Sequence, residues 1–252
     1  MCTDCGCGPS AHHHNQHHHP PAEASPGRVV RIEEDLLAKN NRLAAGNRRF
    51  FQEKGLLVYN LVSSPGSGKT TLLERTLSDL QHEVHFAVLE GDQQTSNDAE
   101  RIAATGVPAV QINTGSGCHL DAHMVWHGMG NFASLPLDIL MIENVGNLVC
   151  PASFDLGEDA KIALLSVTEG EDKPLKYPDM FKAADILLLT KIDLLPYLRF
   201  DIEQCKAFAR QVNPQVRIFE LSCQSGVGLS SWYDWLRQEL AAKRRAARDV
   251  SR

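Results

Sequence analysis

The sequence has no apolar run near the length of a membrane-spanning helix, no surplus of positive charge, no basic-then-apolar leader and no internal repeat. Each absence excludes something. Without a long apolar run, the chain reads as soluble. A net charge of -6 removes the electrostatic case for nucleic acid or anionic lipid, and the short basic stretch 243–252 reads as solvent-exposed. Without a leader, and with an odd set of seven unevenly spaced cysteines, the thiols are expected to stay reduced in the cytoplasm, where such clusters usually bind metal. The 252 residues are 43% apolar and 22% charged, a globular balance with ample length for one large domain, or one domain plus a tail.

Cysteine and histidine crowd the start of the chain: Cys2, Cys5 and Cys7, then His12, His13, His14, His17, His18 and His19. Residues 1–27 also contain Gly, Pro and Ser, with too little apolar side chain to offset the entropy of folding, so a disordered Cys/His-rich metal-binding tail is expected there. From residue 28 the pattern changes. Ile32, Leu36, Leu37, Leu43, Phe50 and Phe51 recur at helical spacing, and Gly55 is placed to close an amphipathic helix.

Beyond that helix, continuous apolar runs at 56–62, 84–89, 109–112, 137–142, 162–167, 186–189 and 216–221 read as strands buried on both faces. Amphipathic segments at 69–80, 97–104, 200–212 and 229–242 are long enough to be crossover helices. Residues 28–252 are therefore expected to form one α/β domain, a mostly parallel sheet with helices on both faces.

The first strand runs into Ser63-Ser64-Pro65-Gly66-Ser67-Gly68-Lys69-Thr70-Thr71 and then a helix. Gly66, Ser67 and Gly68 let backbone amides turn onto phosphate oxygens at a helix N-terminus, with Thr71 continuing the loop into the helix. In the pattern G-x-x-x-x-G-K-[ST], Lys69 reaches the β and γ phosphates and the Thr70 hydroxyl binds Mg²⁺. Ser63 stands where the first glycine is usual, which is tolerable if its φ is negative. Asp92 and Asp98 follow the second strand: Asp92 is placed for Mg²⁺ or its water and Asp98 for the attacking water, unless they are simply capping or solvated acids. Glu143 ends a later strand as a candidate metal-linked acid, with Gly146 close to the γ phosphate. Lys69, Asp92, Asp98 and Glu143 are thus the candidate catalytic set.

Thr190-Lys191-Ile192-Asp193 bears on the choice of base. The Asp193 carboxylate accepts from guanine N1–H and the exocyclic amine, whereas adenine would leave an acceptor unpaired. The Lys191 stem covers one face of the base. Thr190 replaces the usual Asn, which alters part of the hydrogen bonding, and Ser222-Cys223 offer a further backbone contact.

Two metal sites are candidates. Cys2, Cys5 and Cys7 with the α-amine can complete a four-coordinate site for Zn²⁺, Cu(I) or Ni²⁺, and spacing does not decide among them. The histidine triplets read as storage ligands, with an expression tag as the plain alternative. Cys118, His119 and Cys150 offer two sulfurs and a nitrogen, with a fourth ligand from water or a second subunit; buried unliganded cysteines are the competing explanation. His123 and His127 follow His119 at intervals of four and read as surface histidines rather than further ligands.

These motifs resemble the HypB family, the hydrogenase nickel-incorporation GTPases of the SIMIBI class of phosphate-loop proteins. The likeness rests on Cys2-x-x-Cys5-Gly6-Cys7, the His-rich insert, the phosphate loop, Glu90-Gly91-Asp92, Gly117-Cys118-His119-Leu120, residues 143–151 and residues 168–174. The resemblance implies a GTP-hydrolysing nickel metallochaperone that binds GTP or GDP, Mg²⁺, Ni²⁺ and Zn²⁺. It implies nickel at Cys2, Cys5 and Cys7, and nickel or zinc at Cys118, His119 and Cys150. Its implied partners are a HypA-type zinc protein, the [NiFe] hydrogenase large subunit and a second copy of the chain in a GTP-dependent homodimer. Leu194 and Leu198 are suited to the dimer face, unless they pack locally, with Lys176 reaching nucleotide across it. The alternatives are a nickel-buffering protein with a non-essential GTPase, and a urease-type nickel GTPase.

Overall fold

The computed structural model describes residues 26–92, 97–115 and 117–250. The chain divides into two compact units, Met1–Asp35 and Leu36–Arg252. Of the first, only the opening of helix α1 (Pro26–Lys54) is described; Cys2, Cys5, Cys7 and the histidine triplets lie outside the described residues. Gly55, at φ +63°, closes α1 as the sequence suggested.

The second unit is built on seven parallel strands: β1 (Leu57–Ser63), β2 (Phe86–Asp92), β3 (Ala109–Asn113), β4 (Ile139–Glu143), β5 (Ala160–Ser166), β6 (Ile186–Thr190) and β7 (Arg217–Glu220), in the order β3-β2-β4-β1-β5-β6-β7. Every strand ends on a polar residue, because each ladder runs past its apolar stretch at the carboxyl edge. In open α/β sheets that edge is where ligands bind.

Alternation along the strands explains why both faces are apolar. Leu57, Tyr59 and Leu61 of β1 join one core, shared with α2 (Lys69–Leu80), α3 (Asn97–Ala103) and α9 (Leu229–Val250). Val58 points the other way, into a core with Phe51 of α1 and Val125 of α4 (Ala122–Met129). Val62 enters a third cluster, with Phe181 of α7 (Pro178–Ala183) and Cys205 of α8 (Ile202–Val212). Two short helices, α5 (Cys150–Ser153) and α6 (Lys173–Lys176), sit on the loops after β4 and β5. Each buried Leu- or Phe-sized side chain contributes about 1.5–3 kcal/mol. Trp232 of α9 is buried with its indole N–H donating to Thr76 Oγ1 of α2 at 3.0 Å, so its polar atom is satisfied inside the core.

The basic stretch is largely exposed as read, but it is helical: it continues α9 to Val250, and Lys243 and Arg244 pair with Asp159 and Asp138. Among the described residues, no helix is long and apolar enough to cross a membrane.

Candidate nucleotide site and thiol–imidazole cluster

β1 delivers Ser63 to the carboxyl edge, and the chain turns through Gly66 (φ +76°) and Gly68 (φ +95°) into α2. Both glycines occupy the left-handed region that other residues avoid. Ser63 does not: among the described residues Lys191 is the one non-glycine with positive φ. The missing first glycine is therefore no obstacle. The Ser63 hydroxyl instead accepts Lys69 Nζ at 2.8 Å, holding the buried lysine beneath the loop. Burial lowers the Lys69 pKa, and the surrounding carboxylates, Glu143 foremost, oppose that shift.

A cavity of 470 Å³ opens at this edge. It brings together Gly66, Gly68, Lys69, Thr70, Thr71, Asp92, Asp98, Glu143, Gly146 and Lys191, which the sequence singled out. Gly146 has a steric reason: a Cβ there would stand 3.1 Å from Pro65 Cγ of the loop. Thr70 Oγ1 donates to Glu143 Oε1 at 2.7 Å. Glu143 Oε2 and Glu90 Oε2 are buried without a hydrogen-bond partner, and the two residues are cross-strand neighbours on β4 and β2. Burial, helped by Glu143, Asp92 and Asp98, pushes Glu90 up to about 8. Burial pushes Glu143 up to about 7 against the pull of Lys69 and Thr70. The orphaned Glu143 oxygen, next to the Thr70 hydroxyl and with Asp92 lining the same cavity, offers oxygen ligands of the kind a hard cation such as Mg²⁺ takes.

Sequence reasoning assigned no part to Glu90 or Arg101. Glu90 precedes Asp92 by two and so shares its face of β2, a signal that period-two alternation carried. Arg101 lines the cavity and bonds Asp98 at 3.0 Å, Thr71 at 3.3 Å and Glu74. Its spacing of three from Asp98 on α3 was the available clue.

An adjoining cavity of 290 Å³ shares Gly68, Thr71 and Lys191 and adds Ser67, Thr190, Asp193, Leu194 and Cys223. Lys191 adopts φ +61° and donates Nζ to the Gly66 carbonyl at 2.7 Å, laying its stem across the opening. Thr190 is buried and donates to the Ser67 carbonyl at 2.7 Å, so it braces the phosphate loop. Ser222 Oγ donates to Asp193 Oδ1 at 2.5 Å. Leu198 and its neighbour Tyr197 are exposed, whereas Leu194 is half-buried against the second cavity. Lys176 pairs with Asp172 at 2.7 Å and lines neither cavity.

Cys118, His119 and Cys150 meet: their ligand atoms all lie within 4.8 Å of one another. His119 Nδ1 is 3.5 Å from Cys118 Sγ, and its ring packs on Phe154 with centroids 3.8 Å apart. Two sulfurs and an imidazole suit a borderline ion such as Ni²⁺ or Zn²⁺, with a coordination position left over. Asn144 sits between this cluster and the phosphate loop. Its Oδ1 accepts the amides of Leu120 and Val145, each at 3.0 Å, and its Nδ2 donates to Asn60 Oδ1 at 3.2 Å.

A strand, a glycine-bent loop, a helix N-terminus and a buried lysine in that order are the arrangement of the phosphate-loop nucleotide-binding proteins. Residues 57–220 match the family model described as CobW/HypB/UreG, nucleotide-binding domain. The hydrogenase maturation factor HypB of Azotobacter vinelandii is 56% identical over 246 residues, covering 97% of this chain and 81% of that protein. Among solved structures, HypB from Helicobacter pylori in complex with nickel superposes with a TM-score of 0.77 at 41% identity, over 81% of this chain and 96% of that one. HypB from Archaeoglobus fulgidus gives 0.76 at 42% identity, over 81% and 99%. The chain belongs to the HypB family of hydrogenase maturation factors.

Proposed function

We propose that the chain is a GTP-hydrolysing nickel metallochaperone that stores and delivers Ni²⁺ for maturation of the [NiFe] hydrogenase large subunit. The observation that carries this reading is the eight-residue path from Glu143, bonded to Thr70 of the phosphate loop, through Asn144 and Gly146 to Cys150 of the thiol–imidazole cluster. A nucleotide that reorganises one end of this path acts on the other. Nickel binding by the Helicobacter pylori relative supports nickel as the cargo.

In this reading the loop amides, Lys69 and Lys191 hold the phosphates, and Asp193, braced by Ser222, selects guanine. Thr70 and Asp92, with Glu143 beside them, would hold Mg²⁺, which would supply charge neutralisation at the phosphates. Asp98 orients the attacking water, while Arg101 restrains its carboxylate. Cys118, His119 and Cys150 carry nickel or zinc, and the tail cysteines and histidines carry and store further ions. Docking to a HypA-type zinc protein and to the hydrogenase subunit, a GTP-dependent homodimer through Leu194 and Leu198, a contact from Lys176 across it, and a cytoplasmic location complete the proposal.

The test is Lys69→Ala, with GTP hydrolysis measured on the purified chain and hydrogenase activity measured in cells. Loss of both is expected. Wild-type levels of both would contradict the reading, and lost hydrolysis with intact maturation would reduce the chain to a nickel buffer.

A further inference from the structure

A cavity of 560 Å³, larger than the one at the phosphate loop, opens at the amino edge of the sheet, where Leu56 leads into β1 and Leu137 into β4. Its floor belongs to the core: Leu56, Met129 and Phe132 are buried. Its wall is aromatic, with Phe50 and Trp126 packed edge to face, their ring centroids 5.3 Å apart. Trp126 is 47% exposed and Leu135 40%, so the apolar lining continues out to solvent. No acidic residue lines this cavity, in a chain whose net charge is -6. Its ionisable groups are His127 and Lys54. His127 faces His123, with their Nε2 atoms 3.0 Å apart. Lys54 carries its Nζ over the Phe50 ring, 5.8 Å from the centroid, and has no acidic partner among the described residues.

We propose that this cavity binds an amphipathic anion, an aliphatic chain ending in a carboxylate, with the chain on the floor of Leu56, Met129 and Phe132 and the head at Lys54. Pockets that hold small ligands are about 300–1,000 Å³ in volume and mostly apolar, with a few polar groups that fix the orientation of what they bind. Here the two functions are divided between floor and rim. Burial of the chain supplies affinity, and the Lys54 ammonium selects the sign of the head. A cationic head would be repelled, and a neutral one would give up the charge-assisted hydrogen bond. Because the Lys54 stem runs over Phe50, the charge meets the head group at the rim while the stem stays against apolar surface. None of the lining residues belongs to the phosphate loop, the base cavity or the thiol–imidazole cluster, so this site stands independently of the proposed function.

Trp126 reports on this site, since it lines the cavity and is exposed, whereas Trp232 and Trp235 are buried. The experiment titrates decanoate, below the concentration at which it forms micelles, into the full chain and follows tryptophan emission; a Trp126→Phe variant identifies the share from Trp126. A saturable change in Trp126 emission is expected, with an affinity that rises roughly fourfold for each methylene added from hexanoate to decanoate. Decan-1-ol and decylamine should bind about fivefold or more weakly than decanoate. Lys54→Met, which keeps a chain over Phe50 and removes the charge, should lose the preference for decanoate over decan-1-ol. Ala133→Phe adds bulk at an exposed position of the lining and should weaken decanoate about tenfold or more. No saturable change, equal binding of decanoate and decan-1-ol by the parent chain, or parental decanoate binding in either variant would overturn the assignment.

Discussion

Asn144 holds Leu120: its side-chain oxygen accepts the Leu120 amide at 3.0 Å, tying the loop that carries Cys118 and His119 to the residue after Glu143. The same oxygen accepts the Val145 amide, and its amide nitrogen reaches Asn60 of β1, which in turn bonds Glu158 at 3.1 Å. A fully satisfied buried network of this kind has few alternative arrangements.

Asn144→Ala should therefore strand two amides and a carbonyl, lowering stability by about 1–3 kcal/mol for each group left unpaired. It should also weaken the influence of nucleotide on nickel affinity. Chemical denaturation reads the first effect, and nickel titration with GDP and with a non-hydrolysable GTP analogue reads the second. A variant as stable and as nucleotide-responsive as the parent would remove Asn144 from the path.

Glu90 and Glu143 give the nucleotide-free protein a pH dependence with a definite sign. Both folded values, about 8 and about 7, lie above the ordinary 4.5, so the folded state holds more protons than the unfolded state between them. Stability from this pair is fully present below about pH 4.5 and is lost as pH rises to about 7 for Glu143 and about 8 for Glu90. The slope approaches about 1.4 kcal/mol per pH unit for each group. Glu90→Gln should flatten it in urea unfolding followed across that window, and an unaltered slope would place the titration elsewhere.

Lys161 is a buried cation that donates to the Pro151, Ala152 and Phe154 carbonyls at 2.7, 3.2 and 3.2 Å, with the Glu158 carboxylate 4.0 Å away. It pins the end of α5, the helix that begins at Cys150. Lys161→Met leaves Glu158 as an uncompensated buried acid, at a cost of about 3–5 kcal/mol. Through displacement of Cys150 it should weaken nickel binding about 10–100-fold. Calorimetric melting together with nickel competition checks both effects; native nickel affinity in a destabilised variant would mean that α5 keeps its place unaided.

In the proposed function the Asp193 carboxylate accepts from two guanine donors, and Asp193→Asn replaces it with a group that both donates and accepts. Binding of GDP should weaken roughly a hundredfold, while the xanthine nucleotide, which carries an acceptor in place of the exocyclic amine, should gain. Fluorescent-nucleotide titration compares the two bases. Equal losses for both would mean that Asp193 supports the loop rather than reading the base.

Much of this architecture was legible in the chain because a parallel sheet buried on both faces leaves continuous apolar runs, and the phosphate loop leaves its own spacing. Strand ends were less legible: Asp92, Glu143 and Thr190 belong to ladders that hydropathy alone stops short of. The spacing of Glu90 from Asp92 and of Arg101 from Asp98 was legible, but only strand register sets Glu90 beside Glu143 and only helix packing brings Arg101 to the nucleotide cavity. Thr190 looked like a weakened base contact, yet its hydroxyl is directed at the Ser67 carbonyl, a partner 123 residues away. The His123–His127 pair could be placed on one helical face from spacing, but the orientation of the rings came only from the fold.

In the proposed function, nucleotide at the phosphate loop and metal at Cys118, His119 and Cys150 are coupled through residues 143–150. The most direct test of that coupling is the nickel affinity of that cluster in the full chain, measured by chelator competition with GDP bound and with a non-hydrolysable GTP analogue bound, and with Cys118→Ser/Cys150→Ser used to isolate its share. Two different affinities are expected, and their ratio gives the coupling free energy between the sites. The same affinity in both nucleotide states would contradict it.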